Sequence, residues 1–396
     1  MMLCLETSAF HSRLTGIGHY AWFLAERLAR LSRLSGDIEL LGFDVVRFHE
    51  IDLDYLADVR ARNDAEPRER PTISRRRLAG FVRRIPFART LYRQLKEHRF
   101  RRRTRRIDLF HAVNYLPPAS FRRAVPLIHD ISHERHPETH PAERVAWVRQ
   151  GMLAIGNFPI LNTVSEFSAG EISEFYGIDR SRIRVTYPGV SPAFTPDADG
   201  GDAALLAELG LSRNAFFIVV GTLEPRKNLR TILDGFRRLP RDVRIGHPLV
   251  ISGPAGWGKS GLSETGSLVE EGSLRVVGYQ SERDLAALYR NSRTLLFGAI
   301  YEGFGIPTIE ALASGKRPIL SDIAVMREVA GNSGDYVAAL DPEAWAASLL
   351  ASVHDSRAED GSFRSASRER SRRFCWDANA AGTLACYRDA EAMFDR

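Results

Sequence analysis

Short apolar runs alternate with amphipathic stretches along the first half of the chain. The apolar runs have the length of strands, which are predicted at residues 3–5, 38–43, 108–112, 125–129, 160–165 and 183–187. Apolar positions at helical spacing follow several of these runs, and helices are predicted at residues 17–31, 143–154 and 166–175. The second strand is predicted to lead into an acidic loop. This alternation is typical of a sheet with helices packed on its faces.

The second half repeats the pattern more regularly. Strands are predicted at residues 216–220, 249–252, 274–277, 294–297, 318–321 and 336–337, and helices at 228–238, 282–291, 307–314 and 342–353. Such alternation implies a parallel, doubly wound α/β sheet. Prolines and glycines cluster between the two halves, which predicts an N-terminal domain of residues 1–190 and a C-terminal domain of residues 203–375. Two such domains are expected to face each other across a ligand-binding cleft.

The composition agrees with a two-domain globular protein. The chain has 396 residues, of which 44% are hydrophobic and 26% charged. No apolar run approaches the roughly 18 residues that a membrane span needs, and Glu6 interrupts the N-terminus too early for a signal peptide. The three cysteines, Cys4, Cys375 and Cys386, are too few and too scattered for a disulfide framework or a zinc site. These features predict a cytoplasmic protein.

The charge is concentrated in one segment. Residues 70–106 contain 15 Lys and Arg and a single acid, which gives this segment +14 and leaves −8 for the rest of the chain. Between residues 74 and 106 the arginines alternate with apolar residues, a pattern that predicts an amphipathic helix on an anionic membrane surface. A solvated surface hairpin or a mobile loop is the alternative. Nucleic acid is not expected as a partner, because no nucleic-acid-binding motif accompanies the charge.

Residues 301–315 carry the pattern that bears most on function. They follow an apolar strand, and Gly303 and Gly305 permit a tight turn with close approach of the backbone to a ligand. Pro307 suits the first position of a helix, where its missing N–H costs nothing, and Gly315 suits the carboxyl end. A strand–turn–helix unit is therefore predicted here.

The start of this helix has the chemistry of an anion site. The N–H groups of residues 306–309 and the helix dipole favour a negative group, and Glu302 and Glu310 stand on either side. A pyrophosphate could bind at the helix end while the two carboxylates accept hydrogen bonds from hydroxyl groups of the ligand. By itself the pattern also fits an ordinary strand–turn–helix with two surface glutamates.

The two glutamates are eight positions apart within residues 301–311 (YEGFGIPTIEA), and this block resembles the signature of glycosyltransferase family 4. Further segments resemble motifs of that family in the family's order: 15–20 (TGIGHY), 127–130 (LIHD), 219–229 (VVGTLEPRKNL), and 278–279 (GY) with 284–289 (DLAALY). The resemblance spans nearly the whole chain. It implies a retaining enzyme of the GT-B fold, with two Rossmann-like domains and a C-terminal helix, residues 376–396, that crosses back to the N-terminal domain.

The resemblance also implies roles for individual residues. Arg226 and Lys227 would pair with the donor diphosphate, Glu310 with ribose hydroxyls and Glu302 with the donor sugar, while His129 would contact that sugar near the reacting carbon. The candidate catalytic residues are thus Glu302 and His129. The candidate substrate-binding residues are Gly16, Gly18, Thr222, Arg226, Lys227, Phe304, Gly305, Ile306, Thr308 and Glu310.

Several of these residues also have a purely structural interpretation. Gly16 and Gly18 could shape a turn before a helix, and His129 could be a packed residue at a strand end. Arg226 and Lys227 could be a solvated helix start, but cations are unfavourable at a helix N-terminus unless an anion is present. That conflict favours a binding function.

The resemblance implies a mechanism in which the acceptor attacks on the face that the diphosphate leaves, and the leaving phosphate takes the acceptor proton. Neither a cofactor nor a catalytic metal is then required. Residues 127–130 and the loop 137–141 (PETHP) look most like those of transferases that use GDP-mannose or a related GDP-sugar, while UDP- and dTDP-sugars stay open. The expected acceptor is a glycan, lipid-linked if residues 74–106 dock on the inner face of the cell membrane.

Two other patterns and one other class of protein compete with this interpretation. Residues 253–260 (GPAGWGKS) match a P-loop, but the glycines and serines that follow disfavour the helix that a P-loop needs. His129, His133, His136 and His140 suggest a metal, but Pro137 and Pro141 break the helix that would align them. A non-catalytic scaffold of the same fold is disfavoured because the two glutamates and the Arg-Lys pair are intact.

Overall fold

A computed structural model describes the chain at residues 1–11, 13–44, 47–64, 98, 100, 106–114, 117–118, 121–258, 261–355 and 361–394. Most of the basic segment falls outside these ranges, and so does the amphipathic helix predicted between residues 74 and 106. Lys259 and Ser260 of the P-loop-like segment also lie outside them. Within the described ranges, none of the helices is both long enough and apolar enough to cross a membrane.

The N-terminal sheet is built from strands Met2–Glu6 (β1), Glu39–Phe43 (β2), Phe48–Glu50 (β3), Leu109–Ala112 (β4), Ala124–Ile128 (β5), Leu161–Thr163 (β6) and Ile183–Val185 (β7). In the described residues their order is β3-β2-β1-β4-β5-β6-β7. All neighbours are parallel except β3, which runs antiparallel to β2. The strand order reverses between β1 and β4, and such a switch point is where doubly wound sheets bind ligands.

The C-terminal sheet contains strands Phe217–Val220 (β8), Leu249–Ser252 (β9), Leu274–Gly278 (β10), Thr294–Phe297 (β11), Ile319–Ser321 (β12) and Asp335–Val337 (β13). Their order is β10-β9-β8-β11-β12-β13, and all neighbours are parallel. The switch point lies between β8 and β11. Strands β9 and β11 are buried along their whole length, as expected for parallel strands covered on both faces.

Helices cover both sheets. They are Gly16–Ser35 (α1), Leu53–Asp64 (α2), Ser132–Arg135 (α3), Ala142–Met152 (α4), Glu166–Tyr176 (α5), Asp202–Glu208 (α6), Leu229–Arg237 (α7), Arg241–Gly246 (α8), Gly266–Glu270 (α9), Glu282–Asn291 (α10), Ile306–Ala313 (α11), Ala324–Ala330 (α12), Pro342–His354 (α13), Gly361–Ser371 (α14) and Trp376–Phe394 (α15). Within the described ranges, every helix and strand predicted from the pattern is present, with small shifts at the ends.

The acidic loop predicted after β2 is wrong. The chain there forms β3 and then α2. Asp52 begins the helix as a cap, because its Oδ1 accepts a hydrogen bond from the Tyr55 backbone N–H at 2.7 Å. Leu56 and Val59, three positions apart, bury one face of the helix. The acidic residues that look like a loop are therefore the cap and the solvent face of α2.

The C-terminal helix crosses back to the N-terminal domain, as predicted. Trp376 at the start of α15 stacks on Phe23 of α1, with ring centroids 5.0 Å apart and planes 11° apart. Asn379 Nδ2 donates to the hydroxyl oxygen of Tyr20 and to the Thr186 carbonyl oxygen, each at 3.1 Å. These buried contacts fix α15 against α1 and the end of the N-terminal sheet.

Candidate active site

A cleft separates the carboxyl ends of the two sheets. Its empty volume is about 870 Å³, including space open to solvent. The N-terminal wall includes Thr15, Gly16 and His19, which follow β1 or begin α1. The C-terminal wall follows strands β8 to β11 and includes Gly221, Thr222, Ser252, Gly253, Tyr279, Gln280, Glu282, Ile306, Pro307 and Glu310. The cleft thus lies where the two switch points face each other.

The turn before α11 requires glycine at its last position. Gly305 has a φ of +87°, and a side-chain carbon built on it would lie 2.6 Å from Met326 Cε. This turn directs the first residues of α11 to the cleft, where Ile306 and Pro307 lie on the wall. Pro307 occupies the second helical position, one residue later than predicted. The predicted strand–turn–helix unit is present at the cleft.

Gly303 brings the same turn against the N-terminal domain. A side-chain carbon on Gly303 would lie 1.9 Å from the His129 carbonyl oxygen, which a real Cβ could not do. Ser165 Oγ also donates to the Gly303 carbonyl oxygen at 2.6 Å. Glu302 and His129, the two predicted catalytic residues, are therefore held next to one another across the domain interface.

Glu302 forms the centre of a charged cluster. Its Oε2 accepts hydrogen bonds from Lys227 Nζ at 2.6 Å and from Arg226 Nη1 at 2.7 Å. Arg226 Nη2 donates to Glu224 Oε1 at 2.7 Å, and its Nη1 lies 3.8 Å from Asp130 Oδ2. The cations predicted to hold the donor diphosphate are thus paired with carboxylates of the protein in this structure.

Lys227, a member of this cluster, also approaches the cleft wall. Its Cε would be 3.9 Å from a side-chain carbon on Gly221, which is part of the cleft wall. Its Nζ also lies 4.9 Å from the centre of the Phe297 ring. Because the side chain passes the wall, its ammonium group is well placed to exchange the Glu302 carboxylate for a phosphate.

Burial and hydrogen bonding fix the ionisation of the strand-end His-Asp pair. Burial lowers the pKa of His129, so its imidazole is neutral, and its Nε2 donates to the Val113 carbonyl oxygen at 2.9 Å. Burial by itself raises the pKa of Asp130, but Arg226 and the Ser132 backbone N–H lower it to about 2. A neutral histidine therefore stands beside a carboxylate that stays charged.

Glu310 faces the cleft from α11 and has an unusual ionisation. Burial raises its pKa from 4.5 to about 7, although the hydrogen bond from the Tyr289 hydroxyl, 2.9 Å long, opposes the shift. Near neutral pH, Glu310 thus exists in both the acid and the carboxylate form. The carboxylate accepts hydrogen bonds through both oxygens, whereas the protonated acid carries a donor and is a weaker acceptor, so the carboxylate is the form expected to bind two ribose hydroxyls.

We therefore expect donor binding to depend on pH through Glu310. If only the carboxylate binds ribose, KM for the nucleotide sugar should rise about tenfold from pH 8 to pH 6, in proportion to the ionised fraction. The Glu310→Gln variant should bind more weakly and show a flat profile. A wild-type slope in this variant would assign the titration to another group.

Because the folded pKa of Glu310 lies above its ordinary value of 4.5, the free protein should also lose stability as the pH rises from 4.5 through 7.

The structure places three predicted substrate-binding residues behind the cleft wall. Phe304 packs against Phe374, with ring centroids 5.3 Å apart, and Thr308 is fully buried with its hydroxyl on Met326 Sδ. A side-chain carbon on Gly18 would contact Leu14 at 3.1 Å. These residues support the wall, whereas Gly16, Thr222, Ile306 and Glu310 line it.

Several residues at the site are missing from the predicted set. They are Glu224, which binds Arg226; Tyr289, which binds Glu310; and His19, Tyr279 and Glu282, which line the cleft. Glu224 lies two positions before Arg226, and this spacing is the signal that could have identified it. His19, Tyr279 and Tyr289 lie within the family-like segments 15–20, 278–279 and 284–289, whereas only the fold brings Glu282 to the cleft.

The P-loop-like segment bridges the two domains. Gly253 has a φ of +148°, and a side-chain carbon on it would lie 2.0 Å from the Gly221 carbonyl oxygen. Trp257 Nε1 donates to the Thr139 carbonyl oxygen of the N-terminal domain at 2.8 Å. From Gly261 onward the described chain forms a short 3₁₀ turn and then α9, not the helix that a P-loop needs directly after it. In the described part of the chain, no three His, Cys, Asp or Glu residues are arranged to hold a metal ion.

Comparison with known proteins agrees with the sequence resemblance. Two family models match the chain: Glycosyltransferase Family 4 at residues 14–194 and Glycosyl transferases group 1 at residues 206–371. The chain is 30% identical to O-antigen chain mannosyltransferase B of Escherichia coli over 98% of its own length and 100% of that protein.

Solved structures are similar along the whole chain. Sucrose-phosphate synthase from Thermosynechococcus elongatus has a TM-score of 0.70 at 17% identity, covering 100% of this chain and 99% of the other. WaaG, a glycosyltransferase involved in lipopolysaccharide biosynthesis, has a TM-score of 0.68 at 12% identity, covering 97% and 99%. Identities this low show the fold alone, and the predicted α/β fold of the GT-B type is confirmed.

Proposed function

The chain belongs to glycosyltransferase family 4, and on that premise we propose that it transfers mannose or a related hexose from a GDP-sugar, with retention of configuration, to a lipid-linked glycan in O-antigen-type polysaccharide biosynthesis. One observation carries the proposal. The cleft has Glu310 on its wall, and the Lys227–Glu302–Arg226 cluster adjoins that wall, so the site can take a ribose and a diphosphate together.

The geometry suits a leaving-group-assisted transfer. A donor diphosphate would draw Lys227 away from Glu302, because two negative charges attract the ammonium group more strongly than one carboxylate. Glu302 would then accept hydrogen bonds from hydroxyl groups of the sugar and stabilise its developing positive charge. His129 beside it would orient the sugar ring. The departing phosphate takes the acceptor proton, so positioning and charge stabilisation provide most of the acceleration.

Glu282 supports a guanine nucleotide as the donor. It lines the cleft at the start of α10, and its Oε2 is bound by Arg60 of the N-terminal domain. Guanine presents two adjacent N–H groups, on N1 and N2, and a carboxylate can accept both. Uracil and thymine present a single N–H group between two carbonyl oxygens, which a carboxylate repels.

We expect the Glu282→Gln variant to raise KM for a GDP-sugar roughly 10- to 100-fold, the cost of losing a hydrogen-bonded charged acceptor. KM for a UDP-sugar should change little or improve. The Glu208→Gln variant is the control, because Glu208 is exposed and lies on a neighbouring groove. An equal rise in KM for the GDP-sugar and the UDP-sugar would contradict a role of Glu282 in recognising the base.

The function is tested by measuring transfer from GDP-, UDP- and dTDP-sugars to lipid-linked acceptors, with the anomeric configuration of the product read by NMR. Retained configuration with a GDP-sugar supports the proposal, whereas transfer only from a UDP- or dTDP-sugar selects the alternative donor. An inverted product would overturn the mechanism.

Presenting the acceptor in anionic rather than neutral vesicles should increase the rate at low salt if residues 74–106 dock on the inner face of the cell membrane.

A further inference from the structure

We propose that the amino end of α5 is a positioning site that sets the Glu302 turn against His129, with Glu328 as the charged residue that holds it. The inference rests on the proposed catalytic site. Glu328 belongs to α12 in the C-terminal domain, and α5 belongs to the N-terminal domain. The contact therefore joins the two domains at a helix end that also bonds the turn after Glu302.

The first contact is between the Glu328 carboxylate and the first turn of α5. Glu328 Oε1 accepts from the Glu166 backbone N–H at 2.7 Å, and Oε2 accepts from the Phe167 backbone N–H at 2.8 Å. The next N–H, of Ser168, donates to Ser165 Oγ at 2.9 Å. The N–H groups at a helix start have no partner within the helix, and they favour a negative charge. A residue of the other domain thus completes the cap of α5.

The second contact is between the same helix end and the catalytic turn. The carbonyl oxygen of Gly303 accepts hydrogen bonds from Ser165 Oγ at 2.6 Å and from Ser168 Oγ at 3.1 Å. Ser168 Oγ also lies 3.2 Å from the His129 carbonyl oxygen, and both serines are fully buried. Because Gly303 directly follows Glu302, these bonds fix where the Glu302 carboxylate stands relative to His129.

The third contact extends this arrangement to the link between the domains. The Tyr187 hydroxyl donates to Glu328 Oε1 at 2.9 Å, and Tyr187 follows the last strand of the N-terminal sheet. Burial and the nearby Glu328 charge raise the pKa of Tyr187, so it remains a donor. On the other side, Met326 of α12 lies against Gly305 of the catalytic turn. Separation of the domains would break the bonds of Glu328 to α5 and Tyr187 and the bonds of Gly303 to the two serines together, and closure assembles them.

Two variants at one position isolate the backbone contact. Glu166→Pro removes one of the two N–H groups that bind Glu328, and proline is accepted at the first position of a helix. The preceding residue, Ser165, is already extended, with φ −158° and ψ 159°, as proline requires. Glu166→Ala removes only the side chain and keeps the N–H, so it is the matched control. Glu328→Gln removes the charge on the other side, and Glu343→Gln removes that of an exposed glutamate on α13.

We expect Glu328→Gln and Glu166→Pro each to lower kcat roughly 10- to 100-fold, as for the loss of charge-assisted hydrogen bonds. KM for the donor should change less than about threefold, because Glu328 lies outside the donor cleft. The two changes combined should cost less than the product of the single losses, since both weaken the contact between Glu328 and the amino end of α5. Glu166→Ala and Glu343→Gln should retain wild-type turnover.

Amide hydrogen exchange gives a measurement that does not depend on activity. The amides of Glu166 and Phe167 should exchange faster in Glu328→Gln than in the wild type and in Glu343→Gln. Wild-type kcat in both Glu328→Gln and Glu166→Pro, or fully multiplicative losses in the double variant, would overturn the proposal. If no donor supports transfer at all, the proposed function is wrong. If amide exchange is unchanged in Glu328→Gln, the positioning role of Glu328 is wrong.

Discussion

Replacing Lys227 with methionine is expected to lower kcat for glycosyl transfer by roughly 100- to 1,000-fold, the usual cost of removing a group that stabilises transition-state charge. Methionine keeps the length of the side chain and removes only the ammonium group, which now binds Glu302 at 2.6 Å. Glu302 keeps its bond from Arg226, so the fold should be preserved. Steady-state kinetics with saturating donor, together with a thermal melt, measure the two effects separately.

The same reasoning applies to the partner carboxylate. Glu302→Ala should also abolish transfer, because the sugar loses the group that faces its developing positive charge. Arg230→Met is the control, since Arg230 is an exposed cation three residues after Lys227. Wild-type turnover in both the Lys227 and the Glu302 variants would remove these residues from the mechanism.

The largest loss of stability is expected at Asp202, in a place remote from the chemistry. Its carboxylate accepts two hydrogen bonds from Arg290, each 2.7 Å long, and one from Asn291 at 2.8 Å. Asp202 is 7% exposed and Arg290 is 6% exposed. Asp202→Ala leaves the guanidinium buried without its partner, which typically costs about 3–5 kcal/mol. Urea unfolding followed by circular dichroism measures this cost.

A second ion pair provides a closely matched control. Asp199 accepts two hydrogen bonds from Arg283, each 3.0 Å long, but the side chains are 43% and 66% exposed. Asp199→Ala should therefore destabilise the protein far less than Asp202→Ala, because water solvates the remaining arginine. Removing Asp202 and Arg290 together should recover part of the loss. Equal destabilisation by Asp199→Ala and Asp202→Ala would show that burial is not what makes the Asp202 pair costly to break.

The sequence pattern predicts the sheets well because their strands are buried on both faces and read as continuous apolar runs. It fails where a residue type is common in more than one kind of structure, as aspartate is in loops and at helix starts. Asp52 looks like part of an acidic loop, yet it caps α2. Asp202 lies beside a cluster of glycines and looks like linker, yet it begins α6 and binds Arg290. In both places a hydrogen bond of the aspartate determines the structure, and the spacing of apolar residues does not reveal that bond.

The site is predictable to the extent that it follows strand ends. Glu302, Glu310 and His129 are identified by the resemblance to glycosyltransferase family 4, and their places at a strand end, in the loop after a strand or one turn into the next helix agree with it. The pairing of Glu302 with Arg226 and Lys227 joins residues about 75 positions apart, and no local pattern encodes it. Thr308 is on the predicted helix but faces Met326, because the direction of a side chain depends on how the helix is rotated against its neighbours.

The pairing of Lys227 with Glu302 has a consequence for selectivity inside a cell rich in small anions. Both cations of the cluster are already neutralised by carboxylates of the protein. Inorganic phosphate would have to displace Glu302 by charge alone, whereas a nucleotide sugar also gains contacts along the cleft with Glu310 and its neighbours. If Lys227 binds the donor diphosphate as proposed, we expect the resting enzyme to bind inorganic phosphate weakly and to release Lys227 from Glu302 only for a ligand that also contacts Glu310.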